Sequence, residues 1–414
     1  METLRVIRSF SADSLKLILR GNRYYYAWIG FLLLFITTGL IAYAGQLRQG
    51  LIVSHMRDQV SWGFYIGNFT FLVGVAAAAI MLVIPAYIYD WKPIKEVTIL
   101  GEMLAISALV MCLGFVMVDI GRPDRFWHIM PLVGRLNWPY SMLAWDVIVL
   151  NAYLLLNWFV VTYLIYSAYT GKPYAKKLVL FLVLFSIPMA VSIHTVTAFL
   201  YNGLAARPFW NSAILAPKFL ASAFCSGPAI LLVLLQILRK TTRLPITDEA
   251  IFKVAELMAY AMGFNLFLTA AEVFKEFYSG TEHLVYIQYL YQGFKGHNTL
   301  VPYAWASVAC GLVAFLLFLI PKTRTNWITL NIGCLLIYSS VYIEKGMGLI
   351  IPGLTPDALG EIYEYTPSWT EVFVAAGIFS LGFLVFTLML KAAVPVMLGK
   401  VTLNRPPEPA HEAQ

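Results

Sequence analysis

The chain has 414 residues, 60% of them hydrophobic and only 12% charged, with a net charge of +7 and a mean hydropathy of +0.74. Soluble globular domains carry about twice that share of charged residues, so the composition excludes a water-soluble enzyme. The positive balance needs no nucleic-acid partner, because 19 of the 29 Lys and Arg fall on the side of the chain that holds both of its ends.

Residues 1–23 place Leu4, Ile7, Phe10, Leu15, Leu17 and Leu19 among basic residues, which predicts an amphipathic helix on the inner membrane surface. About ten apolar runs of transmembrane length follow, starting near Tyr24, Trp62, Glu96, Ser141, Lys176, Asn211, Ile251, Leu300, Trp327 and Thr370. Period-2 alternation is absent, which argues against a β-barrel. The fold class is therefore an all-α polytopic membrane protein. The Lys and Arg bias puts both termini in the cytoplasm and the chain in the cytoplasmic membrane. Ala42-Tyr43-Ala44 resembles a signal-peptidase site, but a long basic stretch precedes it and more spans follow, so helix 1 is read as retained. The chain divides into residues 1–23, helices 1–5 over 24–210, helices 6–10 over 211–392, and a tail over 393–414.

Helix 2 opens with Trp62, Tyr65 and Asn68 near its outer end, and Gly63, Gly67 and Gly74 share one face that lets a neighbour approach. Helix 3 ends at Asp119, and Gly121-Arg122-Pro123 turns the chain into a loop rich in charge and aromatics. That loop carries Arg122, Asp124, Arg125, Trp127, His128, Arg135, Trp138 and Tyr140. Arg122, Arg125 and Arg135 either pair with Asp119 and Asp124 or serve a site. Helix 4 starts at Ser141, with Trp145 and then Asp146 roughly 8 Å below its start. Tyr153 and Asn157 continue that face inward as a polar stripe, for protons or for interhelical hydrogen bonds. Helix 5 contains Pro188 and places His194, Thr197 and Tyr201 on one face.

Helix 6 carries Lys218 about two turns in, helix 7 ends with Glu272, Lys275 and Glu276, and helix 9 ends with Glu344 and Lys345. The ionisable residues inside spans thus crowd the outer ends, with mainly Glu102 and Glu256 toward the inside. Charged side chains within a bilayer are costly and mark function by default. The polar 7–8 loop and the acidic, Pro-rich 9–10 loop join the 3–4 loop as docking surfaces for a partner. The stretch from Val401 onward reads as a disordered cytoplasmic tail.

Three functional classes fit such a protein. A haem-bearing cytochrome needs two facing histidines, and only His194 lies inside a span. A transporter with a midplane site needs a matched pair of broken helices, which the sequence does not display. A quinone-reactive subunit needs an aromatic slot, donors to two oxygens and groups that exchange protons. Asp146, Asp119 and His194 meet the last need. Trp62, Tyr65, Trp127, His128, Tyr140 and Trp145 can line the slot, and Lys218, Arg122 or Asn68 can donate to an oxygen. Tyr153, Asn157, Glu102, Glu256 and Glu272 are candidates for a proton path. Cys112, Cys225, Cys310 and Cys334 are isolated in apolar runs and lack metal-site spacing, so electrons are expected to leave through another chain.

Several of these residues sit in a recurring order: Trp62-Gly63, D-x-G-R-P from Asp119 to Pro123, S-x-x-x-W-D from Ser141 to Asp146, S-I-H-T-V-T-A around His194, and R-P-x-W from Arg207 to Trp210. In that order they resemble the polysulfide-reductase NrfD family of membrane quinone subunits. The resemblance implies two four-helix bundles, helices 2–5 and 6–9, flanked by helices 1 and 10. It also implies a menaquinone or other quinone pocket in the first bundle near the outer face. The implied partners are an external ferredoxin-like iron–sulfur subunit and further redox subunits, cytochromes among them. No haem or iron–sulfur cluster on this chain is implied. Ten spans suit the branch that includes the DsrP subunits of sulfur-metabolising Dsr complexes. Some members carry a histidine on helix 2; this chain has none there, leaving His194 and His128 as substitutes.

Overall fold

The computed structural model describes residues 2–130, 133–281 and 283–405. Among the described residues, ten helices are long and apolar enough to cross a membrane. Spans 1 to 5 are Arg23–Gln49, Phe64–Ile88, Lys92–Asp119, Met142–Thr170 and Lys176–Asn202. Spans 6 to 10 are Leu215–Thr241, Asp248–Ser279, Val301–Leu319, Trp327–Leu354 and Trp369–Met397. Each starts within four residues of the apolar run read from the sequence. Among the described residues there is no strand beyond isolated bridges. A helix satisfies its own backbone polar groups, which is what a hydrocarbon surrounding demands.

Local chemistry sets the helix ends. Asn22, Ser141 and Thr247 accept backbone N–H bonds at the starts of spans 1, 4 and 7. Ser368 and Glu371 form a reciprocal capping box at the start of span 10. Gly171 and Gly280 adopt left-handed backbone past spans 4 and 7. Two spans are interrupted. Span 2 breaks at Ala77 and finishes in a π-turn through Pro85, and span 9 breaks at Gly346. These breaks lie at different depths and are not a matched pair.

The connections 1–2, 3–4, 5–6, 7–8 and 9–10 lie at one end, here called distal, opposite both termini. Span 2 packs on 3, 3 on 4, 4 on 5 and 5 back on 2; spans 6, 7, 8 and 9 close a second ring in the same way. Spans 2 and 5 meet spans 6 and 9 between the rings. Span 1 packs chiefly on span 10, and both lie outside the rings against span 3 or its loops. The first span is mostly uncovered, with Phe31, Leu34 and Ile41 facing out, as lipid contact requires.

The N-terminal helix Glu2–Leu19 is not free of the body. Phe10 packs against Tyr166 and Tyr169, and Tyr169 donates to the buried Asp13 (2.8 Å). Leu4, Leu15 and Leu19 remain exposed on its other side. At the opposite terminus, Val401 is buried and the Leu403 N–H donates to the Tyr169 carbonyl (2.8 Å). The first residues of the expected disordered tail are therefore pinned to span 4, because a free hydrogen-bond acceptor at that helix end captures them. Residues 406–414 of that tail lie outside the described residues.

Spans 1 and 10 touch through glycines. A Cβ on Gly39 would meet the Gly377 Cα at 2.8 Å, and one on Gly377 would meet the Gly39 Cα at 2.9 Å. No side chain fits between them. Gly39→Leu should lower the unfolding midpoint of the purified protein by an amount corresponding to about 1–3 kcal/mol of overpacking. Gly30→Leu on the same helix, where a Cβ meets nothing within 4 Å, should leave the midpoint unchanged.

Candidate functional site

The distal ends of spans 2 to 5 gather Asp119, Asp146, His194, Tyr65 and Asn68, with Trp62 just before span 2, from the site residues expected from the sequence. Asp146 enters on span 4 and is buried, and Thr197 of span 5 donates to its Oδ1 at 2.7 Å. His194, three residues earlier on span 5, is also buried, and its Nδ1 contacts the Ala190 carbonyl at 2.7 Å. A carbonyl only accepts, so Nδ1 carries the proton and Nε2 is left as the basic nitrogen. That Nε2 has no partner, and neither does Asp119 Oδ1 at the end of span 3. Buried polar atoms without partners are rare. Both belong to the distal half of the first ring, and Glu102 Oε2 is a third such atom deeper in the same ring.

Aromatic side chains wall this region. Trp62 lies edge-on to Tyr201 and stacked with Trp210, with ring centroids 5.6 and 5.7 Å apart. Trp210 is fully buried and donates through Nε1 to the Leu349 carbonyl (2.9 Å). The Tyr201 hydroxyl shares a hydrogen bond with Thr70. Tyr65 donates to Gln46 of span 1 (2.7 Å), and Gln46 donates to the Val118 carbonyl (2.7 Å) beside Asp119. Asn68 donates to its own helix at Phe64 and accepts from the Tyr342 hydroxyl (2.8 Å) on span 9. Asn68 is thus already engaged across the two rings.

Lys218 lies elsewhere. It stands on span 6, in the second ring, with Nζ 2.9 Å from Glu272 Oε2 and 3.1 Å from Glu344 Oε1. Glu344 also accepts from Asn265 (2.9 Å) and Thr269 (3.1 Å). Lys345, next in sequence, is buried with Nζ 3.1 Å from the centre of the Phe219 ring and no hydrogen-bond partner. These charged groups line a cavity of about 330 Å³ that includes Phe219, Tyr291 and Tyr303. Lys345 also lines a narrow void between the rings, together with His194, Thr70 and Phe219. Lysine thus stands between the two polar clusters.

The 3–4 loop behaves differently from its sequence pattern. Arg122 makes a bidentate pair with Asp124, both oxygens at 2.9 Å, and both side chains are exposed. That pairing holds the Asp124 carboxyl below its usual range. Trp127 and Tyr140 are 48% and 87% exposed, and His128 is exposed as well. Trp145 is half-buried, packs on Trp138 and donates to the Pro139 carbonyl (2.9 Å). The structure does not bring Arg122, Trp127, His128 or Tyr140 to the buried acids. Their charges and rings are satisfied in the loop or presented outward.

Deeper in the first ring, Tyr153 and Asn157 are buried on span 4, with Asn157 donating to the Tyr153 carbonyl (2.7 Å). Glu102 of span 3 is buried with Oε2 unpartnered. Glu256 is instead tied at the opposite end of span 7 to Lys253 (3.3 Å), Arg324 (3.6 Å) and Tyr260 (3.1 Å). Glu272 belongs to the Lys218 cluster. The partners that sequence reasoning passed over are Thr70, Tyr342, Phe219 and Tyr291. All four are ordinary span or loop residues whose significance comes only from what faces them. Among the described residues no three His, Cys, Asp or Glu converge as a metal site.

Residues 52–358 match the family model described as polysulphide reductase, NrfD. A Halobacterium salinarum protein, named as a putative membrane component of a dimethyl sulfoxide reductase, is 26% identical, covering 86% of this chain and 88% of its own. The Hdr-like menaquinol oxidoreductase integral membrane subunit of Archaeoglobus fulgidus is 24% identical over 89% of this chain and 92% of its own. The menaquinone reductase integral membrane subunit of Nitratidesulfovibrio vulgaris is 22% identical, covering 91% and 93%.

Removing Lys218 would leave two carboxylates facing each other inside the second ring. Lys218→Met should therefore lower stability by about 3–5 kcal/mol, the cost of breaking a buried ion pair from one side. Combining it with Glu272→Gln and Glu344→Gln should recover much of that loss. Denaturant or thermal unfolding of the purified variants measures both.

Proposed function

The chain belongs to the polysulphide reductase NrfD family, and from that premise we propose that it is the quinone-reactive membrane subunit of a respiratory complex. It would exchange electrons between menaquinol or menaquinone, near the distal face, and an iron–sulfur partner seated on that face. One observation carries the reading: ionisable side chains with unpartnered buried atoms, Asp119 Oδ1 and His194 Nε2, stand behind an aromatic wall at one end of the spans. A purely structural cluster would pair these atoms with one another. Two relatives whose names specify menaquinol or menaquinone support the same chemistry.

A quinone supplies two-electron, two-proton chemistry at paired ring oxygens. The chain's own residues would supply the rest. Asp146, oriented by Thr197, and His194, fixed in its tautomer by Ala190, would accept and release the protons. Asp119 would stand at the mouth of the site. Trp62, Tyr65, Tyr201 and Trp210 would hold a flat ring and keep water out. The exposed Arg122, Trp127, His128 and Tyr140 would face the partner rather than the ring, since the loop presents them outward. The four cysteines are free and scattered, so the electrons would travel through the partner. We place the distal face outside the cytoplasmic membrane, in accord with the Lys and Arg bias toward the other end.

Asp146→Asn keeps shape and hydrogen bonding but removes proton exchange. Quinol-linked electron transfer by the assembled complex should fall by at least about a hundredfold, the usual worth of a positioned acid–base group, with the polypeptide make-up of the complex unchanged. Turnover equal to wild type in an assembled variant overturns the assignment.

Proton movement beyond that of the quinone rests on Tyr153, Asn157 and the unpartnered Glu102 below Asp146. In reconstituted vesicles, Glu102→Gln should reduce the protons moved per electron pair while electron transfer continues. An unchanged ratio removes Glu102 from any such path.

A further inference from the structure

The second ring contains a feature that the first-ring reading does not use. Its cavity of about 330 Å³ falls in the size range of small-ligand pockets, roughly 300–1,000 Å³. The walls are mainly apolar and aromatic, through Phe219, Tyr291, Tyr303 and Leu300; the charged groups are Lys218, Glu272, Glu344 and Lys345, and Thr299, Ser307 and Thr366 add hydroxyls. Lys218 is engaged by both carboxylates, whereas Lys345 is 5% exposed, lines the cavity and has no hydrogen-bond partner on its Nζ. An unsatisfied buried donor is expensive to maintain without an acceptor. The Lys345 Nζ rests against the face of the Phe219 ring, and an acceptor oxygen in the chamber would complete its bonding.

A second hollow of about 350 Å³ adjoins the first, sharing Val273 and Tyr291 with it. It runs between spans 7 and 8 and is bordered by Trp305 and Phe277, which are exposed on the flank that faces lipid. Tyr291 stands at the junction. Its ring meets Trp305 edge-on, and its carbonyl receives the Trp305 Nε1 hydrogen bond (2.9 Å). A head-sized chamber thus continues into an apolar crevice open to the hydrocarbon. The charges set the head: Glu272 and Glu344 already place two carboxylates at the chamber, both held by Lys218. A phosphate or carboxylate head would add negative charge beside them, whereas a neutral carbonyl would accept a hydrogen bond from Lys345.

We infer that the second ring binds an isoprenoid quinone of its own, its ring in the chamber among Phe219 and Tyr291, a ring oxygen on Lys345, and its tail leaving between spans 7 and 8. This site is separate from Asp146 and His194 and holds whether or not they exchange protons. The test is photolabelling of the purified complex with an azido-naphthoquinone bearing a short isoprenyl tail, followed by peptide mapping. Label should appear on the peptides containing Phe219, Tyr291 or Tyr303, and excess menaquinone but not phospholipid should displace it. Ala304→Phe, which fills the chamber, and Lys345→Met, which removes the donor, should each reduce that label at least tenfold. Asp146→Asn should leave it unchanged even where it stops turnover, so the two assignments fail separately. If Ala304→Phe does not fold, Lys345→Met decides. Label confined to peptides of spans 2 to 5, displacement by phospholipid as well, or wild-type labelling of Lys345→Met overturns the proposal.

Discussion

Ionised side chains in a low-dielectric interior must be neutralised or hydrogen-bonded where they stand, and this requirement organises the distal half of the protein. The Lys218 ammonium shows it directly. It reaches Glu272 on span 7 and Glu344 on span 9, while Asn265 and Thr269 complete the coordination of Glu344. Spans 6, 7 and 9 are thereby fixed to one another at one depth. In the first ring the same requirement is met only in part, with Thr197 on one oxygen of Asp146 and Ala190 on one nitrogen of His194. The ion pairs of Lys218 hold helices together, whereas His194 Nε2 and Asp119 Oδ1 have no partner within the chain.

The two rings do not act as isolated halves. Asn68 of span 2 is held by Tyr342 of span 9, Trp210 is held by the Leu349 carbonyl, and Arg207 by the Leu354 carbonyl (2.9 Å). All three contacts use the last part of span 9, around its break at Gly346. Gly67 of span 2 lies against that break, close enough that a Cβ there would touch Met347 at 3.3 Å. The break turns the end of span 9, exposing backbone carbonyls to partners on the first ring. Lys345, immediately before the break, is consequently placed on the wall between the large cavity and the void that contains His194.

The spans were legible in the sequence because burying a helix in hydrocarbon needs about twenty apolar residues, a local property of the chain. The burial of Asp146, His194, Tyr153 and Asn157 was legible for the same kind of reason: a polar residue well inside such a run must face protein. The loop residues misled. Arg122, Trp127, His128 and Tyr140 have the chemistry of a quinone site, but loop residues meet no burial requirement, and here they lie on the surface. The engagement of Lys218 by Glu272 and Glu344 escaped, since these partners come from spans 7 and 9, and only the tertiary structure brings them together. Tyr342 is 274 positions from Asn68, and no local pattern connects them.

The glycine contact between spans 1 and 10 bears on biogenesis. Span 1 is made well before its principal neighbour, span 10, and at usual elongation rates of about 5–20 residues per second some tens of seconds separate Gly39 from Gly377. During that interval the apolar face around Gly39 has only lipid or the insertion machinery against it. Arrival of Gly377 then covers that face, so span 10 acts as a latch on span 1.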